Sequence, residues 1–390
     1  MTRWATMLLD GSWTMAIGAN EEVIRDDIRI TDMSGLLHSG LTVIPATVPG
    51  NFELDMQRAG LIGDPFWGTN IIQMQELENR HIWYGRTFII DKVSSDTFFV
   101  FEGIDTYSEM FLNGEMIAST DNMLIPHEIR AEGVRAGENE LIVHIRPARI
   151  EAMKHEIDAG CFAMKYNWES LQVRKASHMY GWDIMPRAIS AGIWRSVSII
   201  DKPKDRIDDI FIFTKSMNRD GKYAELTVNF KTHTDADSLR GMKLSINGKC
   251  GGSSFSVQHK LMHTSGKFNV FVGDAMFWWP AGSGDAALYE TTVDLYRDDV
   301  LLDSFSLNVG IRKVELLRTS TTDKNGNGQF LFRINYENIF IKGTNWVPVD
   351  AYHSRDRERI IPALQMVKDV GCNAIRCWGG NVYEDPILYD

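Results

Sequence analysis

Few groupings in these 390 residues have the types and spacing that covalent chemistry requires. The ten histidines contain no H-E-x-x-H pair, so a helix-borne zinc site is not indicated. No G-x-S-x-G elbow and no P-loop is present, which removes the common signatures of a serine hydrolase and of a bound nucleotide phosphate. Cys161, Cys250, Cys372 and Cys377 form no C-x-x-C pair, so reduced thiols are expected rather than a disulfide scaffold or a zinc ribbon. The stretch Asp323-Lys-Asn-Gly-Asn-Gly328 imitates the start of a calcium loop. Its twelfth position is Ile334 where a bidentate Glu is needed, and a hairpin turn is expected instead. No metal and no cofactor is expected. What stands out is aromatic, because 11 Trp is heavy usage for this length. Indole rings bury large areas in cores and also stack on the apolar faces of sugars, and composition does not separate the two uses. Arg376 and Trp378 lie two residues apart on an apolar strand pattern, so both point to one side of that strand.

The charge balance narrows the partners. With 41 Lys+Arg against 52 Asp+Glu the net charge is -11, which repels phosphate backbones and anionic lipid heads. No nucleic acid and no membrane is expected as a partner, and a neutral substrate fits. No apolar run approaches the roughly 18 residues of a spanning helix. The apolar stretch near the start is cut short by Asp10, too early for a secretory signal. Together with the free thiols this points to a cytoplasmic address.

Three stretches follow one another along the chain. Up to residue 202 the pattern is of many short strands, such as 97–101, 109–112 and 140–145, with Asn113-Gly114 marking a type I′ hairpin. Helical period is nearly absent, and a jelly-roll sandwich is expected. After the charged joint at 201–205, residues 203–315 carry six or seven more strands at 207–214, 223–232, 242–246 followed by Asn247-Gly248, 266–272, 288–296 and 303–309. That count in about 110 residues matches an immunoglobulin-like sandwich. From 316 the pattern changes. A hairpin of 330–334 with 338–342 turns at Tyr336-Glu337. A helix over 355–370 places Ile360, Ala363, Leu364 and Val367 on one face, with Gly371 at its C-terminal cap and Pro362 implying a kink or a later start. A buried strand follows at 373–378. The fold class expected is mainly β: a jelly-roll sandwich, an immunoglobulin-like sandwich, then the first βαβ part of an incomplete (β/α)8 TIM barrel. A full barrel takes about 250 residues, so the 316–390 stretch is expected to be a truncated start. Its exposed strand edge would need to pack on the sandwiches or pair with a second copy, as in a homodimer.

Ordered motifs carry a resemblance across nearly the whole chain. Phe340-Ile-Lys-Gly-Thr-Asn-Trp-Val-Pro-Val-Asp350 and Asn373-Ala-Ile-Arg-Cys-Trp-Gly-Gly-Asn-Val-Tyr-Glu384 resemble glycoside hydrolase family 2, and its β-mannosidase branch in particular. Val48-Pro-Gly50, Phe101-Glu-Gly-Ile-Asp-Thr106, Phe111-Leu-Asn-Gly114, Tyr180-Gly-Trp-Asp183, Gly192-Ile-Trp-Arg195, Trp278-Trp-Pro280 and Gly310-Ile-Arg312 are similar to family phrases in the same order. Ile184 and Met185 stand where the family phrase continues with Trp and Gly.

The resemblance implies a galactose-binding-like jelly-roll sugar-binding domain (1–202), an immunoglobulin-like sandwich (203–315) and the start of a TIM-barrel catalytic domain (316–390). It implies the N-terminal part of a retaining exo-β-glycosidase acting on a β-linked oligosaccharide or glycoside. A β-mannoside leads, with β-galactoside, β-glucuronide and glucosaminide behind it. Trp182 and Asp183 would grip sugar, Asp350, Arg376 and Trp378 would face it from strand ends, and the acid/base and nucleophile glutamates are expected beyond Asp390. The fragment alone is then expected to be inactive. Other roles stay open: a core Trp182 with Asp183 ending a turn, Asp350 as a cap, Arg376 in a structural ion pair, Trp378 as packing, and Glu384 as a partner of an arginine. A non-catalytic carbohydrate-binding or interaction module is the alternative.

Overall fold

Ten strands with alternating inward and outward side chains build the first part of the chain. They are β1 (Ala5–Leu8), β2 (Gly11–Ala19), β3 (Thr42–Val48), β4 (Arg80–Ile90) and β5 (Thr97–Phe101), then β6 (Tyr107–Leu112), β7 (Glu115–Asp121), β8 (His127–Arg130), β9 (Gly137–Arg146) and β10 (Val197–Asp201). The structure, a computed structural model, describes residues 3–158, 160–161, 168–320 and 323–389. An antiparallel sheet in the order β3-β2-β4-β9-β6-β7 faces a second in the order β1-β10-β5-β8. Trp13, Met15 and Ile17 of β2 meet Tyr84 of β4 and Val143 of β9 in one core with Phe99 and Phe101 of β5 and Ile199 of β10. The outer face of the larger sheet is also dry. Ala16, Trp83 and Ile142 there are covered by Val23 and Leu36 of the short helices Asn20–Arg25 and Met33–Leu37. Burial on both faces explains why 81–85 of β4 is a continuous buried run.

Three of the sequence motifs converge on Gly192. Its N–H and C=O bond Asp105 at 3.3 and 2.9 Å, Gly50 donates to Ile193 O at 2.8 Å, and Trp194 donates to Gly103 O at 3.1 Å. A Cβ on Gly192 would lie 2.2 Å from the carbonyl oxygen of Gly50, so a backbone rather than a flexible side chain would have to move. Gly192→Ala is therefore expected to cost about 2–3 kcal/mol of stability. The urea midpoint checks it, and an unchanged midpoint would refute the close-approach argument.

Seven strands form the next part: β11 (Arg206–Met217), β12 (Tyr223–His233), β13 (Met242–Cys250), β14 (Ser253–Lys260), β15 (Ser265–Gly273), β16 (Tyr289–Arg297) and β17 (Val300–Val309). Sheets β11-β12-β15 and β14-β13-β16-β17 enclose Leu226, Val228, Leu244, Ile246, Val293 and Leu295, a sandwich of immunoglobulin-like strand count. Asn247-Gly248 is not a turn here, because β13 runs through it to Cys250 and the reversal falls at Gly251, with φ +53°. Gly248 sits opposite Phe255, whose ring occupies the space a Cβ would need.

Beyond this, β18 (Val314–Arg318), β19 (Phe330–Ile334) and β20 (Glu337–Ile339) form an antiparallel sheet. The β19–β20 turn lies at Asn335 and Tyr336, one residue earlier than expected. Asn335 fixes it: its Oδ1 accepts from Lys313 N at 3.0 Å and its Nδ2 donates to Trp278 O at 2.9 Å. In the β18–β19 loop, Asp323 accepts the N–H groups of Asn325 and Asn327 at 2.9 and 2.8 Å and so organises its own turn.

The last elements are β21 (Gly343–Trp346), the helix Asp356–Asp369 and β22 (Ala374–Cys377). β21 and β22 pair in parallel, since Asn373 N bonds Lys342 O and Trp378 N bonds Trp346 O in the same sense. The helix starts at Asp356 with Pro362 inside it, so the proline causes no later start. It ends in a Schellman motif: Cys372 N donates to Val367 O, Gly371 N donates to Lys368 O, and Gly371 takes φ +78°. The chain divides into two compact units. One is Met1–Lys202 with Trp346–Leu364 and Cys377–Asp390, and the other is Pro203–Asn345 with Gln365–Arg376.

Candidate functional site

In the first unit, the segment 175–192 presents Trp182 and Asp183 on a tight turn. Trp182 and Met185 exchange backbone hydrogen bonds at 3.0 and 3.2 Å, which pushes the two side chains between them outward. Trp182 is 44% exposed, and Asp183 is exposed with no hydrogen bond or ion pair among the described residues. The turn is held at both ends. Lys175 is buried against Asp105 and donates to Ser190 O at 2.8 Å. Arg187 forks onto the buried Glu78 with bonds of 2.6 and 2.7 Å. Such anchoring fixes an exposed turn whose own side chains make few contacts.

Trp378 lies at the end of β22, and its ring centroid is 6.1 Å from that of Trp182 with planes inclined by 37°. The His178 ring lies 6.2 Å from the Trp378 ring, centroid to centroid, with planes inclined by 53°. Trp182 and Trp378, expected separately from sequence as sugar-binding residues, are thus brought together, with Asp183 next to Trp182 in the turn. The two indoles make an aromatic wall that can cover C–H faces, and a free carboxylate next to it can accept two hydroxyl hydrogens, the chemistry of a neutral polyol site.

The remaining expected residues are placed differently. Asp350 is buried. Its Oδ1 accepts from Tyr352 N at 2.9 Å, and its Oδ2 meets Arg355 Nη2 at 2.6 Å and Arg359 Nε at 2.8 Å. The carboxylate therefore fastens the entry to the Asp356–Asp369 helix. Arg376 belongs to the second unit, is exposed, and has Asn345 Oδ1 3.5 Å from its Nη1. Glu384 is buried, and its partners are Trp346 Nε1 at 2.7 Å and Asn381 Nδ2 at 2.5 Å rather than an arginine. Burial pushes its carboxyl up, and the Trp346 bond opposes this.

Sequence reasoning passed over His178, His353 and Asp356, which join next to Trp378. His178 Nε2 meets His353 Nε2 at 2.8 Å, and His353 Nδ1 meets Asp356 Oδ2 at 2.6 Å. The three-residue spacing of His353 and Asp356 was the one local signal available. Among the described residues no group of three or more His, Cys, Asp or Glu is placed to hold a metal ion. Among the described residues no helix is long and apolar enough to cross a membrane.

Comparison with known proteins agrees with this arrangement of parts. Residues 19–195 match the family model described as the glycosyl hydrolase 2 galactose-binding domain-like domain, and residues 206–312 match that of glycosyl hydrolases family 2. A β-mannosidase B of Thermothelomyces thermophilus is 29% identical over 353 residues, covering 88% of this chain and 40% of that protein. One from Aspergillus clavatus is 30% identical over 359 residues, covering 88% and 41%. The crystal structure of a β-D-mannosidase from Dictyoglomus thermophilum matches with a TM-score of 0.79 at 28% identity, covering 98% of this chain and 45% of that one. The chain spans about two-fifths of the length of the curated relatives it matches. Two consecutive models of one family, and relatives that match most of the chain, lead to one conclusion: the chain belongs to glycosyl hydrolases family 2, in its β-mannosidase-like branch.

Proposed function

We propose that the chain is the sugar-gripping and scaffolding part of a retaining exo-β-glycosidase that removes terminal β-linked sugars. A β-mannoside is the leading substrate, ahead of a β-galactoside, β-glucuronide or glucosaminide. The observation that carries the proposal is the Trp182–Trp378 wall at 6.1 Å with the exposed Asp183 beside it, in a chain whose relatives are named β-mannosidases. In this proposal residues 1–202 hold sugar, 203–315 form the second sandwich, and 316–390 begin the catalytic barrel. Trp182, Asp183 and Trp378 contact the sugar. Asp350 acts through Arg355 and Arg359 as a positioning residue, and Arg376 is included as a substrate-facing cation on the strength of its motif alone. Retaining hydrolysis needs two carboxyl groups about 5 to 5.5 Å apart, as proton donor and nucleophile. These glutamates are proposed to come from barrel strands outside the 390 residues.

Two assays test the proposal. The 390-residue chain is expected to turn over no nitrophenyl glycoside and to bind saccharides negligibly. Firm saccharide affinity without turnover would favour the binding-module alternative. In a protein extended to the length of the relatives, β-mannoside hydrolysis is expected. There Asp183→Asn should lower kcat/KM by about 10- to 100-fold, the worth of a charge-assisted hydrogen bond. Unchanged kcat/KM would remove Asp183 from the site.

A further inference from the structure

His178 and His353 stand 175 residues apart in sequence and meet ring nitrogen to ring nitrogen. His178 Nδ1 lies 2.8 Å from Gly380 O, two residues after Trp378, and His353 Nδ1 lies 2.6 Å from Asp356 Oδ2. All three side chains are buried. Asp356 Oδ1 has no hydrogen-bond partner among the described residues, so the carboxylate is answered at Oδ2 alone.

The hydrogens on this chain can be counted. A carbonyl only accepts, so His178 Nδ1 carries one. The nitrogen–nitrogen contact needs one more, and the contact with Asp356 needs a third. Two neutral imidazoles and an ionised carboxylate supply two. The fully bonded chain therefore holds one surplus proton, and with it the net charge is zero: an imidazolium beside a carboxylate, or two neutral rings beside a carboxylic acid. Burial, then the neighbouring His353, pushes His178 down to about 3, so His178 is held in its neutral form. A second histidine pair, His81 with His144 at 2.9 Å, makes no such demand. It ends on the Asn20 side-chain amide, which can turn to donate or accept.

We propose that His178, His353 and Asp356 are positioning residues: while they hold one surplus proton, they tie Gly380, and with it Trp378, to the segment that carries Trp182. Loss of that proton leaves a buried negative charge and sets two lone pairs against each other at under 3 Å, so one contact parts and the indoles lose their fixed spacing. Several charged groups face the chain. Lys175 lies on the His178 side. Arg195 and Glu384 lie beside Asp356. Glu102, Arg357, Glu358 and Asp385 line the cleft that His353 and Asp356 share. Trp194 packs on His353 with centroids 5.8 Å apart. The cations favour release of the proton and the carboxylates favour its retention.

The importance of this device for sugar rests on the proposed function, but the proton count does not. The test uses the 390-residue chain labelled with 15N-histidine and 5-fluorotryptophan, followed by NMR from pH 5 to 9 without sugar. His178 is expected as the Nδ1–H tautomer throughout the acid range, and the Trp378 fluorine resonance should shift as the surplus proton leaves. Asp356→Asn supplies the third hydrogen from its amide with no surplus proton. In that variant the Trp378 shift with pH is expected to be lost, with the resonance held at its acid position. A merely structural contact would not change the pH profile in this way. An Nε2–H tautomer at His178, or an Asp356→Asn variant that keeps the wild-type profile, overturns the proposal. Failure of β-mannoside turnover in the extended protein would sink the sugar assignment alone, so the two fail separately.

Discussion

Lys175→Met is expected to lower stability by about 3–5 kcal/mol, among the largest effects of any single substitution in the first unit. The side chains of Lys175 and Asp105 are 0% and 1% exposed, so removing the ammonium strands a carboxylate with no route to bulk water. Thr106 Oγ1 also bonds Asp105, but a neutral hydroxyl cannot offset a full charge at that depth. The Lys175 bond to Ser190 O goes as well, so the two ends of the segment that presents Trp182 are no longer tied to each other, and the Arg187 fork onto Glu78 is left as an anchor. Urea unfolding checks the result, with the midpoint falling and the slope unchanged. The double variant Lys175→Met with Asp105→Leu distinguishes pairing from packing. Because apolar replacement of a whole buried pair is often neutral, it should recover most of the loss. A single variant within about 1 kcal/mol of wild type would refute the argument.

Local rules carried the fold further than the site. Asn113-Gly114 forms the expected two-residue turn, with φ of +53° and +89° between β6 and β7, because strand pairing on both sides agrees with it. Asn247-Gly248 has the same letters and lies inside β13. There the glycine makes room for the cross-strand ring of Phe255, and the neighbouring Gly251-Gly252 provides the reversal. A dipeptide states what a backbone can do, and the pairing partner decides whether it does. The Gly371 cap was readable because a Schellman motif is set within six residues. At the site, Trp182 and Asp183 could be picked out as a group because they are adjacent. Arg355, in the turn just before the helix, and Arg359, in the helix, are four apart and both reach Asp350, a spacing that could have foretold its partners. The His178–His353 contact had no such signal, because only the folded chain brings those positions together.

Glu53→Gln is expected to make the protein more stable at alkaline pH while leaving it unchanged near pH 4.5. Burial pushes the Glu53 carboxyl up to about 8, against the opposing pull of the Ser190 hydroxyl and Lys175. Its Oε2 accepts from Ser190 Oγ at 2.6 Å, and Asn51 Nδ2 donates to that same hydroxyl at 2.8 Å. The folded state therefore keeps a proton that the unfolded chain has already released above its ordinary value of 4.5. Between those two values the folded state binds one more proton than the unfolded state. Stability then falls by about 1.4 kcal/mol per pH unit as pH rises, and levels off above the folded value. Glutamine keeps an oxygen to accept from Ser190 and cannot ionise, so its advantage should grow to roughly 3–5 kcal/mol by pH 8.5. Asp55, pushed up to about 6 by burial, tilts both proteins in the same direction, which makes the difference between the two curves the proper measure. Urea midpoints at pH 4.5, 6 and 8.5 supply it. Parallel curves would mean that water or a shift of the Ser190 segment solvates the carboxylate, and the closed network of Asn51, Glu53 and Ser190 argues against both.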